Sequence, residues 1–173
     1  MMKMTSAYAN KMLKKLNDDK AYILSNETDA SVYTAMVGEE PVIPEYDYEK
    51  TAKMLLEIDE KMLKIKHAIN QSNATNLITV GDSQMTADMI LVRMAQLNGR
   101  LERLDAMRKR LPKERVDYSY ARKATTQPEY TYVNYDIEQV REDYECMSNM
   151  VLQMQMALDK YNQTVEFDVG IDL

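Results

Sequence analysis

The segment from Arg108 to Tyr135 holds the densest concentration of side chains with binding chemistry. Guanidinium groups bind phosphate or carboxylate through paired hydrogen bonds, and tyrosine rings stack on planar groups. This chemistry suits a nucleotide-like ligand. It is equally typical of an oligomer contact, because arginine and tyrosine are favoured at protein interfaces. The candidate binding residues in this segment are Arg115, Tyr118, Tyr120, Arg122 and Lys123.

A second polar cluster runs from Asn70 to Asn76, where the second predicted helix ends. An asparagine amide offers both a donor and an acceptor, so Asn70 and Asn73 could read the polar edge of a ligand. The alternative is structural, because asparagine also tolerates the left-handed backbone of a helix C-terminus. A helix cap followed by a turn would then explain the cluster.

Catalytic and metal chemistry have few residues to work with. The chain has one cysteine, Cys146, and one histidine, His67, too few for a Cys/His zinc site within one copy. Four glycines leave little material for a phosphate-binding loop. The carboxylates are numerous, but their spacing indicates that most lie on solvent-exposed helix faces. We therefore expect a protein that is not an enzyme and holds no cofactor or metal.

Charge is distributed unevenly. Residues 91–123 carry ten basic and four acidic side chains, whereas the whole chain has a net charge of −6. An acidic protein with a basic island attracts a polyanion weakly, so nucleic acid is an unlikely partner, but a local anion site fits. No apolar run approaches the length of a membrane span, and the first residues lack a signal-peptide core. The expected location is the cytoplasm, with no membrane partner.

Apolar spacing predicts an all-α fold. The four helical stretches have apolar stripes that step by three and four residues, and the last keeps a heptad seam from Ile137 to Tyr161. Such narrow stripes favour an antiparallel four-helix bundle with long coiled-coil-like helices. The expected helices run from Thr5 or Ser6 to about Leu24, from near Asp47 to about Asn70, from Asp82 or Ser83 to Leu111, and from Asp136 to about Tyr161.

The connections add short extended pieces. Alternating residues around 115–134 predict a small β-ribbon between the third and fourth helices, and alternation from Val165 to Ile171 predicts a strand or an extended arm. Residues 31–37 could form another short strand. We expect one helical domain over 1–173, with an N-terminal helix and acidic loop (1–45), a core (46–162) and a C-terminal arm (163–173).

Several of these polar residues form a pattern that resembles the septicolysin-like family of small bacterial helical proteins. That family has an Ile-Asn-x-Thr-Asn turn, an arginine on the following helix and an Arg-rich Tyr-Ser segment. The resemblance covers roughly residues 46–162 and implies a helical fold, with no reaction attached. The matching residues are Ile69 to Asn73, Met85-Thr86, Arg93, and Arg115 with Tyr118-Ser119-Tyr120, Arg122 and Lys123. The motif positions that it implies as functional include Thr86, Arg93 and Ser119.

Three function classes follow from these patterns. The first is a non-enzymatic homo-oligomer that captures a small anionic, nucleotide-like ligand; a phage or mobile-element sponge for a nucleotide immune signal is one form of it. Its site would combine the Asn70–Asn73 turn, the start of the third helix and residues 118–123. The alternative is a purely structural or adaptor bundle that acts through protein contacts. A metal-dependent nucleotide hydrolase ranks third, since no paired acidic motif stands out.

Overall fold

The computed structural model describes residues 2–116 and 127–171. Helices make up about 64% of these residues, and short strands form small two-stranded sheets, which confirms the prediction of a mainly helical protein. The helices are α1 (Ser6–Ala30), α2 (Tyr48–Thr75), α3 (Ala87–Arg108) and α4 (Ile137–Thr164). The strands are β1 (Met2–Thr5), β2 (Leu77–Val80), β3 (Ser83–Thr86), β4 (Lys113–Arg115), β5 (Tyr130–Tyr132) and β6 (Glu166–Val169).

Three helices begin where the sequence predicts, because a side chain caps each start. The Thr5 hydroxyl accepts a hydrogen bond from the backbone N–H of Tyr8 at 3.3 Å. The Asp47 carboxylate accepts from the N–H of Lys50 at 3.0 Å, and the Asp136 carboxylate accepts from the N–H of Glu138 at 2.9 Å. Each bond satisfies a backbone donor that the first helical turn leaves free.

Other boundaries differ from the prediction. Helix α3 begins at Ala87 because the preceding residues pair with Leu77–Val80 as a two-stranded sheet that turns at Gly81, whose φ is 57°. Helix α1 continues to Ala30 and α2 continues to Thr75, so the Asn-rich segment is mostly helical. Residues 31–37 form no strand; no other described strand lies beside them, and Gly38 follows with a φ of 93°.

Residues 2–78 together with residues 159–171 form one compact unit. Its core contains Met4, Ala9, Ile65, Ile69 and Val169. Strand β1 pairs antiparallel with β6, with Met2 opposite Val169 and Thr5 opposite Glu166, so the predicted C-terminal strand is confirmed. Helix α1 packs antiparallel on α2, since Lys20 binds Asp59 at 2.6 Å while Ala9 joins the same core as Ile69.

The described residues of 79–158, which are 79–116 and 127–158, form a second compact unit. Helix α3 buries Ala87, Ile90, Leu97 and Leu104, which lie along one stripe. The predicted ribbon is present as β4 and β5, which pair antiparallel with Lys113 opposite Tyr132 and Arg115 opposite Tyr130.

Two contacts in this second unit join the end of α3 to the chain beyond the ribbon. The Arg108 guanidinium lies 3.9 Å from the ring centroid of Tyr144, and the Tyr135 hydroxyl donates to the Met107 carbonyl at 2.9 Å.

The predicted seam of α4 is buried or half-buried at every position. Val140, Met154, Leu158 and Tyr161 are buried. Ile137, Tyr144, Met147 and Val151 are intermediate. Among the described helices, none has a stretch long and apolar enough to cross a membrane.

Candidate functional site

The ten predicted site residues fall into three groups in the structure. Asn70 and Asn73 lie in the last turns of α2, in the first unit. Thr86, Arg93 and Arg115 lie in the second unit. Thr86 is the last residue of β3, Arg93 lies within α3, and Arg115 is the last residue of β4. The other five lie outside the described residues: Tyr118, Ser119, Tyr120, Arg122 and Lys123.

The Asn-rich end of α2 forms a buried polar cluster with α4. The hydroxyl oxygens of Ser72 and Tyr161 are 2.6 Å apart, and the Asn76 amide donates to Ser72 Oγ at 2.9 Å. Asn73 Oδ1 is buried without a hydrogen-bond partner among the described residues, whereas Asn70 is exposed. The sequence analysis selected Asn70 and Asn73 as site residues. It did not select Ser72, Asn76 or Tyr161, which form the buried cluster. The signal available for Tyr161 was its place as the last residue of the α4 seam.

Thr86 stands at the N-cap of α3, but its hydroxyl makes no bond to the helix backbone. It donates instead to the carboxylate of Asp88, which also accepts from the N–H of Met89 at 2.9 Å. The hydrogen bond from Thr86 holds the pKa of Asp88 below its ordinary value. The electropositive start of α3 therefore faces a negative charge supplied by the chain itself.

Arg93 lies two turns into α3 and lines a shallow groove of about 340 Å³. Met85, Met89 and Val92 supply its apolar wall, and Arg93 Nη1 donates to Gln96 Oε1 at 3.5 Å. Arg93 makes no ion pair with any residue in the described ranges. The groove thus combines an apolar surface with a guanidinium group that has no ion-pair partner among the described residues.

The Lys113 side chain of β4 contacts the tyrosine rings of β5. The Lys113 ammonium lies 4.0 Å from the ring centroid of Tyr130 and 5.4 Å from that of Tyr132. The two rings are 6.5 Å apart, and Arg115 is the register partner of Tyr130. Cation–π contacts between Lys113 on β4 and two tyrosines on β5 therefore account for part of the basic and aromatic pattern in the described residues.

A cavity that the sequence did not suggest lies between the end of α1 and the start of α2. Its volume is about 320 Å³, and Tyr22, Glu27 and Tyr46 are among its lining residues. The Tyr46 hydroxyl donates to Glu27 Oε1 at 2.7 Å. This hydrogen bond, together with burial, raises the pKa of Tyr46 to about 12.

The described residues contain no group of three or more His, Cys, Asp or Glu side chains placed to hold a metal ion. His67 and Cys146 are both exposed.

No family model and no curated protein matches this chain. Its fold is similar to that of a solved structure, a functionally unknown conserved protein from Corynebacterium diphtheriae. The two share 14% sequence identity over 96% of this chain and 100% of that chain, with a TM-score of 0.57. At this identity the likeness concerns the fold alone. The septicolysin-like resemblance stays a prediction.

Proposed function

We propose that this protein is a non-enzymatic, homo-oligomeric helical protein that acts through contacts between copies of itself. The observation that carries the proposal is a second apolar strip on a helix that already has a buried seam. On α4, Leu152 and Met156 are 57% and 65% exposed. They lie four residues apart on the face opposite Val151 and Met154, which belong to the seam.

Apolar residues on two faces of a helix indicate that the helix packs against neighbours on two sides. Leaving such strips in water forfeits about 25 cal/mol for each Å² of apolar surface. Association of copies would cover the outer strip while the inner seam stays within the chain. The long, narrow seams support the finer arrangement in the assembly, an antiparallel bundle with coiled-coil packing.

Sedimentation velocity at micromolar concentrations tests this proposal. We expect a species larger than the 20.1 kDa chain, with a dimer as the simplest case. Met156→Glu should weaken association because it places a charge in the outer strip. Asn17→Asp adds a negative charge at an exposed position on α1, outside the outer strip of α4, so it should leave association unchanged. A wild-type monomer at these concentrations would overturn the proposal.

A second candidate function is the capture of a small anionic, nucleotide-like ligand, the chemistry of a sponge for a nucleotide immune signal. The observation that favours it is the groove on α3, where the guanidinium of Arg93 adjoins Met89 and Val92 and has no ion-pair partner within the described ranges. An anion with a planar apolar part could pair with the guanidinium and lie on the methionine side chains.

Native mass spectrometry and thermal-shift screening with mono-, di- and cyclic nucleotides test this candidate. A ligand at one hundred times its Kd should stabilise the protein by about 2.7 kcal/mol. Arg93→Ala should abolish the shift. Arg141→Ala is the matched control, because Arg141 is an exposed arginine already paired with Glu138 at 3.0 Å. If no nucleotide shifts the melting temperature, this candidate is wrong and the assembly function stands alone.

A further inference from the structure

Residues 31–45, which connect α1 to α2, form an exposed segment that we call the acidic strap. It contains no helix or strand, and every residue in it except Pro44 is exposed. Its three charged residues are Glu39, Glu40 and Glu45, and none makes an ion pair with another described residue. Its large apolar side chains, each 53% to 106% exposed, are Val32, Tyr33, Met36, Val37, Val42 and Ile43.

The backbone of the acidic strap is restricted before any partner binds. Gly38 has a φ of 93°, and the N–H of Glu39 donates to the Met36 carbonyl at 3.2 Å, which closes a turn near the glutamates. Pro41 and Pro44 fix φ and remove two backbone donors. The two prolines lower the conformational freedom that this segment loses when it docks. Exposed apolar side chains on a restricted segment are typical of a surface that binds another surface.

One face of α3 has the complementary properties, and we call it the arginine face. It begins with the apolar side chains of Met89 and Val92, which are 54% and 59% exposed. Arg93, Arg100 and Arg103 follow at spacings of seven and three residues, which places them on neighbouring positions of the same helix surface. All three are exposed and lack an ion pair within the described ranges.

Within α3, which the structure describes in full, no acidic side chain lies among these three arginines on that surface. Asp88 borders the groove at its far end, where its carboxylate is already hydrogen-bonded to Thr86 and Met89. Glu102 and Asp105 point to other sides of the helix by their spacing, and Asp105 is paired with Arg108 at 2.7 Å. The arginine face is therefore an uncompensated positive surface next to an apolar one.

We infer that the acidic strap of one copy docks on the arginine face of a second copy. This inference rests on the proposed self-association and adds a second contact surface to the outer strip of α4. Val37 and Met36 would cover Met89 and Val92, while the glutamates that follow the turn would pair with the arginines. The occupant is a second copy because the chain itself carries both surfaces. Neither is ion-paired within the part of the chain that the structure describes, and each combines apolar side chains with one sign of charge. Complementary charge of this kind sets register and partner choice.

Charge-reversed pairs test the inference by sedimentation velocity. The variants are Glu39→Arg/Glu40→Arg, which makes the strap basic, and Arg100→Glu/Arg103→Glu, which makes the helix face acidic. Each variant alone brings like charges together, so its self-association should weaken at least about tenfold. When the two variants are mixed, every strap meets a face of opposite charge, and association should return near the wild-type strength.

The matched control is Asp18→Arg/Asp19→Arg, which reverses two adjacent exposed acids on α1 and should leave self-association unchanged. Circular dichroism checks that each variant keeps the wild-type helical signal. Rescue by mixing supports docking between copies. Loss of association without rescue on mixing would overturn it in favour of docking within one chain, and unchanged association in both reversed variants would show that another surface joins the copies. A monomeric wild-type protein would instead overturn the proposed function.

Discussion

The hydroxyl oxygens of Ser72 and Tyr161 lie 2.6 Å apart in a buried contact between the end of α2 and the end of α4. Both residues are only 4% exposed. The Asn76 amide reaches the same two oxygens, at 2.9 Å from Ser72 and 3.4 Å from Tyr161. Residues 89 positions apart in the chain are thus joined by hydrogen bonds that water cannot replace.

Removing either hydroxyl should lower the free energy of unfolding. We expect a loss of about 1 kcal/mol for Ser72→Ala and for Tyr161→Phe, because each leaves a buried polar group with fewer partners. The double variant should lose less than the sum of the two, since both single changes delete the same bond. Urea unfolding at a fixed protein concentration measures all three. The control is Thr75→Ala, whose hydroxyl is exposed, and strictly additive losses would contradict the coupling.

The buried and exposed faces of α2 should differ strongly in their response to truncation. Ile65 is 0% exposed and Leu63 is 70% exposed, two residues away on the same helix. Ile65→Ala should cost about 2–5 kcal/mol, because it leaves a cavity in the core. Leu63→Ala should change stability by less than about 0.5 kcal/mol. Thermal or urea unfolding checks both, and equal losses would show that Ile65 is not a core residue.

Two glycines should respond to alanine with opposite signs. Gly81 has a φ of 57° in the turn between β2 and β3, so Gly81→Ala should destabilise the protein by about 1 kcal/mol or more. Gly99 lies within α3, where an added Cβ would meet nothing within 4 Å. Gly99→Ala should therefore stabilise the protein by roughly 0.5–1 kcal/mol. Melting temperatures of the two variants test the contrast, and a shift of the same sign in both would contradict it.

Tyr46 should titrate later than an ordinary tyrosine. Its hydrogen bond to Glu27 raises its pKa to about 12, so the neutral phenol is favoured in the folded protein. The stability that this bond contributes is fully present below about pH 10, the ordinary tyrosine pKa, and is lost as the pH rises through about 12. Ultraviolet absorbance of tyrosinate, compared between wild type and Tyr46→Phe, isolates this group. Glu27→Gln should move its titration back towards pH 10, and no change would show that Glu27 is not the cause.

Local spacing predicted the features that depend on one helix. Every residue of the α4 seam from Ile137 to Tyr161 is buried or half-buried, because a three-four step fixes which side of a helix a residue faces. The caps at Thr5, Asp47 and Asp136 were also readable, since a capping bond joins residues only two or three positions apart.

Contacts between distant segments were not readable in this way. The end of α2 reads as a turn because asparagine and serine are weak helix formers, yet Ser72 and Asn76 bond to Tyr161 and the helix continues to Thr75. Strand β1 was missed, since four residues alternate too briefly to predict a strand without knowledge of β6. The candidate site was predicted by residue type alone. The Asp88 carboxylate already accepts a hydrogen bond at the start of α3, and this contact depends on a side-chain rotamer that residue spacing does not specify.

The pairing of Met2 with Val169 also has a kinetic consequence. It joins positions 167 residues apart, and closing so long a loop is entropically costly, so contacts of this kind form late and slowly. Residues 79–158, in contrast, form a unit that is continuous in sequence. During synthesis from the N-terminus, that unit can fold while β1 still lacks its partner. The β1–β6 sheet then forms after that unit. Until β6 is available, β1 is an unpaired strand edge, and misfolding can compete with completion of the sheet at this step.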